Sequence, residues 1–420
     1  MTDAPAPVPL LAQIIGAAQR QTGPQRVNDF IHVIKDVSNA YVVNTDTGYI
    51  MINTGFVTTS DRNKGFVAEI TNGSPQAIFL TQAHPDHYGG VPTIASTETP
   101  IIAQREFAAT CDFFKMLDSY LKRRSGVIWS NTIEKREEIV VPHVTPTVTF
   151  SDAQDFTFGS RHFRAISTPG GEAPDASIVW MPDDRVAFTG NLFGPLLNSV
   201  PNLCTTRGDK PRSAAKYLQS IQTVIDLEPE LLIAGHSEPV SGKEAVRSVL
   251  CNMRDAVQYI HDKTVEGMNN GASVHELMSD ISLPKSMGIR ELHGKVSWAV
   301  RTIWEEYSGW FHMDSTAALY GTPPSSINTD LLELAGAENV AERALQKALH
   351  GQALEAIYLS DIVLNVTPNH YTALRARLTS LTTLLTQANG ENMSEVMWLK
   401  AQIKASELPL AQHTEGKSND

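Results

Sequence analysis

The stretch that most restricts this chain is Thr81-Gln82-Ala83-His84-Pro85-Asp86-His87-Tyr88-Gly89-Gly90. Two imidazoles and a carboxylate fall between His84 and His87, directly behind the apolar run Ala77-Ile78-Phe79-Leu80. A buried strand that ends in such a loop is a frame for a metal ion. Imidazole and carboxylate supply directed lone pairs and cancel the ion's charge. One letter is out of pattern: Gln82 offers a neutral amide, a weaker ligand than either.

Three more segments end a strand-like run with a polar group able to ligate. Glu172 sits in the Gly/Pro-rich loop Ser167 to Asp175, Asn191 follows Val186-Ala187-Phe188, and His236 follows Leu231-Leu232-Ile233-Ala234. Strand ends on one edge of a sheet converge in space, so Gln82, His84, Asp86, His87, Glu172, Asn191 and His236 form one candidate metal site.

The pattern around these loops is β-rich with interleaved helices. Phe30–Ile34, Ala40–Val43 and Tyr49–Ile52 are short β-type runs that form an antiparallel meander, and residues 61–70 and 214–227 have helical spacing. Residues 106–124 fit one helix with Phe107, Cys111, Phe114, Leu117 and Leu121 on a face, and residues 126–138 fit a flap over the site. Beyond Lys243 the chain turns helical, with a linker at Gly321–Ser326 and later segments near 330–350, 352–365, 369–388 and 392–404 that pair like tetratricopeptide-type hairpins. No fixed repeat period joins them. The expected class is α+β: an αβ/βα sandwich followed by an all-α domain. The expected division is an arm at 1–25, a catalytic domain at 26–245, a helical domain at 246–406 and a loose tail at 407–420.

At 420 residues the length fits two domains. The formal charge of −12, with 34 basic against 46 acidic residues and no Lys/Arg-rich run, excludes nucleic acid and anionic membrane as main partners. No apolar stretch reaches the length of a membrane span, and Met1 to Leu11 lacks the form of a signal peptide. Cys111, Cys204 and Cys251 are scattered and fit a reducing cytoplasm.

The loop resembles the HxHxDH motif of the metallo-β-lactamase superfamily, and the chain is similar to the zinc-dependent alkylsulfatases within it. Thr168-Pro169-Gly170-Gly171-Glu172-Ala173-Pro174 resembles their loop in which a glutamate replaces a histidine. Asn202-Leu203-Cys204-Thr205-Thr206-Arg207-Gly208 resembles the segment before their last ligand, and Tyr259–Thr264 and Tyr307–Phe311 resemble their dimerisation domain. The likeness spans about 27–405 and leaves no room for the sterol-carrier-like domain that closes many alkylsulfatases. It implies a homodimer. It also implies that His84 and Glu172 serve one metal position while Asp86, His87 and His236 serve the other. Gln82 and Asn191 depart from its ligands, and Ser199-Val200-Pro201 stands where the family has a histidine.

Two neutral amides weaken one half of the site. The expectation is one tightly held Zn²⁺ on Asp86, His87 and His236 and a weaker or absent second ion. A zinc-activated water then attacks a sulfate ester, carboxylic ester or lactone, with Asp86 orienting the water, Tyr88 donating to substrate and Arg207 receiving an anionic group. Trp129, Trp298 and Trp310 are candidates for an apolar pocket, although core or interface packing accounts for them better. Two other readings stand beside hydrolysis: a metal-dependent lyase or isomerase of the same fold, and a non-catalytic dimeric scaffold.

Overall fold

The computed structural model describes residues 7–129 and 139–416, with side chains described as far as residue 411. It divides into two compact units, Leu10–Tyr307 and a second made of Ser308–Asp420 with Met1–Pro9.

The larger unit holds two sheets. In the first, strands β1 (Gln25–Arg26), β2 (Ile31–Ile34), β3 (Ala40–Thr45), β4 (Gly48–Ile52), β5 (Ile78–Phe79), β6 (Ile101–Gln104) and β7 (Val148–Phe150) lie side by side in chain order. The pairs through β4 are antiparallel and the rest parallel. The second sheet contains β8 (Ala153–Phe158), β9 (Arg161–Ser167), β10 (Ser177–Met181), β11 (Val186–Gly190), β12 (Leu231–Ala234) and β13 (Val240–Ser241), ordered from β13 back to β8. Only β11 and β12 run parallel.

Side-chain alternation explains the layering. Tyr41, Val43, Ile50, Ile52 and Phe79 point to one face of the first sheet and meet Phe163, Val179, Met181 and Phe188 of the second. Their neighbours Val42, Tyr49, Met51 and Ile78 point outward to Phe66, Val67 and Phe107. On the outer face of the second sheet, Ile178, Trp180 and Leu232 pack against Tyr217, Val246, Leu250 and Ile303. The result is the four-layer αβ/βα sandwich.

The helices differ from the sequence expectation in four places. Helix α1 (Leu10–Gln19) occupies the expected arm, with Leu11, Ile15 and Ala18 buried as one stripe. Arg62 donates to the Ala18 and Gln19 carbonyls at 3.1 and 3.2 Å, covering the open end of α1. Helix α2 (Ser60–Ile70), the single turns α3 (Pro85–Tyr88) and α4 (Val91–Ile94), and α5 (Phe107–Met116) follow. The single helix expected over 106–124 breaks at Leu117. A new one, α6 (Asp118–Trp129), starts at Asp118, whose charge suits a helix N-terminus and pairs with Lys122 at 3.0 Å. The expected flap begins inside α6, and its residues 130–138 lie outside the described residues.

Helices α7 (Ala214–Asp226), α8 (Lys243–Asn269), α9 (Val274–Asp280) and α10 (Val296–Ser308) complete this unit. Residues of α8 to α10 share one core with the second sheet, so the compact unit extends to Tyr307 where the sequence placed a boundary near 245. The second unit stacks α11 (Asn328–Ala335), α12 (Ala337–Leu349), α13 (Ala353–Val366), α14 (Tyr371–Gln387) and α15 (Met393–Gly416). Small buried residues, among them Ala341, Ala344, Ala356 and Ala373, let these helices approach closely. Helix α15 continues into the expected tail, as far as Gly416, despite Pro409.

Candidate metal centre

The C-terminal ends of β4, β5, β11 and β12 lie on one edge of the sandwich, where hydrogen bonds stitch the sheets. The Ser177 N–H donates to the Thr81 carbonyl at 2.8 Å and the Asn39 N–H to the Gly235 carbonyl at 2.7 Å. The Tyr41 hydroxyl donates to the Ala234 carbonyl at 3.0 Å. The loop after β5 leaves this edge at Leu80 and enters α3 at Pro85, with Asp86 and His87 in its first turn. Gly89 then passes so close to the backbone that an added Cβ would lie 2.4 Å from the Val57 nitrogen.

All seven ligand candidates meet here in a continuous chain of contacts. Gln82 Nε2 lies 2.7 Å from His84 Nδ1, which is 3.6 Å from Glu172 Oε2. Asn191 Nδ2 donates to Glu172 Oε2 at 2.9 Å and lies 3.1 Å from His236 Nε2. Asp86 Oδ2 stands 3.9 Å from both His236 Nε2 and His87 Nε2.

The two halves of this chain differ chemically. Asp86, His87 and His236 offer ligand atoms within 4.8 Å of one another, and His87 Nε2 is buried with no hydrogen-bond partner. Burial, followed by the His84 charge, lowers His87 to about 3, and burial also lowers His236 to about 4, so both keep lone pairs. These three residues fit a divalent ion. The other half is already occupied by protein groups. Glu172 Oε1 faces Arg212 Nη2 at 3.2 Å and His293 Nε2 at 3.3 Å, while Oε2 takes the Asn191 amide. Burial would raise the Glu172 carboxyl, but Arg212, then His293 and His84, hold it well below the usual range. Burial likewise opposes charge on His84. Asp209, 3.7 Å from its Nε2, and Glu172 outweigh that and raise the imidazole to about 9. The His84 ring thus stands between two carboxylates, with Gln82 on its Nδ1 side.

Arg207 reaches the cluster at one remove, with its Nη2 3.8 Å from Asp209 Oδ2. Tyr88 is buried in the core, its ring edge-on to Phe107 at 5.4 Å, and burial raises its hydroxyl above the usual tyrosine range. Trp129 ends α6, Trp298 lies in α10, and Trp310 belongs to the second compact unit and is exposed.

Five residues of the site were given no role by the sequence reading: Asn53 and Thr81, which lie 3.0 and 3.1 Å from His87 Nδ1, and Asp209, Arg212 and His293. Asp209 and Arg212 directly follow the segment that ends in Arg207 and Gly208, which was the available signal. His293 had none. It reaches Glu172 because Ser199 Oγ accepts the Leu292 and His293 N–H groups at 3.2 Å each, lacing residues 290–294 to 198–201.

Residues 33–236 match the metallo-beta-lactamase superfamily, and residues 273–405 match alkyl sulfatase dimerisation. The chain therefore carries a metallo-beta-lactamase domain followed by an alkyl sulfatase dimerisation domain. A linear primary-alkylsulfatase from Pseudomonas sp. is 31% identical over 324 residues, covering 70% of this chain and 60% of the relative. The alkyl/aryl-sulfatase BDS1 of Saccharomyces cerevisiae is 24% identical over 428 residues, 94% of this chain and 66% of the relative. The chain thus spans less than two thirds of the length of the first relative and about two thirds of the second. The solved structure of the stereoselective inverting sec-alkylsulfatase Pisa1 from Pseudomonas sp. superposes with a TM-score of 0.82 over 94% of this chain and 67% of that one. At 20% identity this likeness concerns the fold. Among the described residues no helix is long and apolar enough to cross a membrane.

Proposed function

We propose that the protein is a metal-dependent hydrolase of the alkylsulfatase type, holding one zinc ion on Asp86, His87 and His236 and cleaving a sulfate ester or related ester-like bond. The observation that carries this is the cluster of three ligand residues within 4.8 Å, with His87 Nε2 buried and unpartnered. The alkylsulfatase relatives support the substrate class.

A bound divalent ion would supply Lewis-acid activation of water and of the substrate oxygen. The rest falls to the chain. Asp86, between the two imidazoles, orients the water and takes its proton. Arg212 and His84 balance the Glu172 and Asp209 carboxylates, and the partly exposed Arg207, 3.8 Å from Asp209, is placed to meet an anionic substrate group. Phe114, 5.3 Å from the His84 ring, and its neighbour Phe113 wall the site with apolar surface for an alkyl part. The dimerisation match supports a homodimer, and the three free cysteines support a reducing cytoplasmic setting.

The amides of Gln82 and Asn191 favour a second reading, a lyase or isomerase working by proton transfer. Turnover of alkyl sulfates and carboxylic esters in H₂¹⁸O separates the two. Hydrolysis places the label in a product, and turnover without label would sink the leading reading. Mass-spectrometric metal analysis is expected to give one zinc per chain; two tightly held ions would refute the single-ion centre.

A further inference from the structure

The groups behind His87 carry a consequence for metal binding that rests on the proposed ligand set. An imidazole that ligates through Nε2 carries its proton on Nδ1 and needs an acceptor there. His87 Nδ1 has two neighbours, Asn53 Nδ2 at 3.0 Å and Thr81 Oγ1 at 3.1 Å. All three residues are buried.

The backbone decides which neighbour accepts. The Thr81 N–H can only donate, and it lies 3.0 Å from Asn53 Oδ1. That fixes the Asn53 amide with its oxygen on Thr81 and its NH₂ group on His87. Asn53 itself is held at φ 58°, a left-handed conformation open to Asn and Asp. A donor therefore faces Nδ1. While it donates there, the ring proton sits on Nε2, and His87 cannot ligate.

The alternative arrangement runs through Thr81. His87 donates Nδ1–H to Thr81 Oγ1, and the hydroxyl donates onward to Asn53 Oδ1 at 3.2 Å. The Asn53 NH₂ keeps an acceptor, because Thr81 Oγ1 also lies 3.0 Å from its nitrogen. No net proton is gained or lost; one leaves Nε2 and one is taken at Nδ1. The hydroxyl is held in place by packing, since a Cβ added to Gly190, at φ +50°, would lie 2.5 Å from it.

We propose that Asn53 and Thr81 form a tautomer gate on the metal site. Thr81 is a positioning residue that accepts the Nδ1 proton when the ion is bound. Asn53 stabilises the opposing tautomer and so weakens metal binding.

The test is zinc affinity of the full-length chain by competition with a chromophoric chelator, alongside thermal melting of the zinc-free forms. Thr81→Val is expected to weaken zinc about 10-fold or more, and Thr81→Ser to stay near the wild-type value, as for an outer-shell partner of a ligating histidine. Asn53→Asp is expected to tighten zinc about 10-fold, because one carboxylate oxygen accepts Nδ1–H while the other keeps the Thr81 N–H. Should the buried charge of Asn53→Asp unfold the zinc-free chain, the Thr81 pair decides alone. Equal affinity in wild type, Thr81→Val and Thr81→Ser overturns the gate. No zinc binding by the folded wild type overturns the ligand set itself, and the gate with it.

Discussion

A carboxylate that loses water without gaining a charged partner of its own shifts towards its neutral form, and Asp175, buried three positions beyond Glu172 in the same loop, is the case here. Burial raises its carboxyl to about 6, against the opposing pull of the His84 charge. The folded value lies above the unfolded one, so the group's contribution to stability is fully present below its unfolded value of 3.8 and lost as pH rises through about 6. Above that pH the folded chain carries a costly buried charge. Asp175→Asn is therefore expected to stabilise the zinc-free protein by up to about 3 kcal/mol above pH 6 and by little near pH 4. Urea unfolding of both proteins at the two pH values checks this, and a difference that does not grow with pH contradicts it. Residue-scale legibility followed sequence distance. His84, Asp86 and His87 stood out because their spacing is local, within one loop and one turn. His293 stayed hidden because its contact with Glu172 spans 121 positions and is made by the lacing of two distant segments. Asn53 was hidden differently: it stands at the end of an apolar strand with no motif around it, and its chemistry depends on where the backbone of Thr81 arrives.

Among the elements, β5 bears the heaviest duty for its length. It is only Ile78–Phe79, yet it pairs with β4 and β6 and launches the metal loop. Phe79 anchors it between the sheets, with the rings of Phe156, Phe163 and Phe158 at 5.3, 6.0 and 6.2 Å. Phe79→Ala is expected to cost about 3–5 kcal/mol, the range for emptying a buried aromatic site. It should also loosen zinc, because the strand that aims His84 and His87 loses its anchor. Urea unfolding and chelator competition on the same variant measure the two effects; unchanged zinc affinity in a destabilised variant would show that β5 does not set the ligands. The strand pattern was legible because β2 to β4 are short apolar runs separated by turn residues. The break between α5 and α6 was not, since the apolar stripe Phe107, Cys111, Phe114, Leu117, Leu121 continues through Leu117 in helical spacing. The stripe marks which side chains are apolar, and it does not reveal that Phe114 is turned against His84.

At the scale of the whole molecule, compact units and family matches divide the chain differently: the units part at Tyr307, while one match ends at residue 236 and the other begins at 273. The change from strand-rich to helical sequence occurs near Lys243, but α8 and α10 belong with the second sheet because their apolar faces cover it. The alkyl sulfatase dimerisation match, at 273–405, therefore straddles both compact units, and its first part lies in the unit that supplies His293 to the site. The second unit leaves large apolar side chains open to water: Trp310, Met313, Tyr320 and Leu334 are 74%, 84%, 70% and 87% exposed. Exposure on this scale, in a region that matches a dimerisation family, is a reason to expect a partner surface. A second copy of the chain is the proposed occupant. Sedimentation equilibrium of the full-length protein is expected to give twice the 45.9 kDa chain mass. The tryptophan emission of Trp310 should then shift to the blue as the dimer forms on concentration, because its indole leaves water. Comparison with Trp310→Phe isolates that signal. A monomer at micromolar concentration would refute the homodimer. A dimer whose emission is indifferent to Trp310→Phe would keep the assembly and move its interface away from this segment.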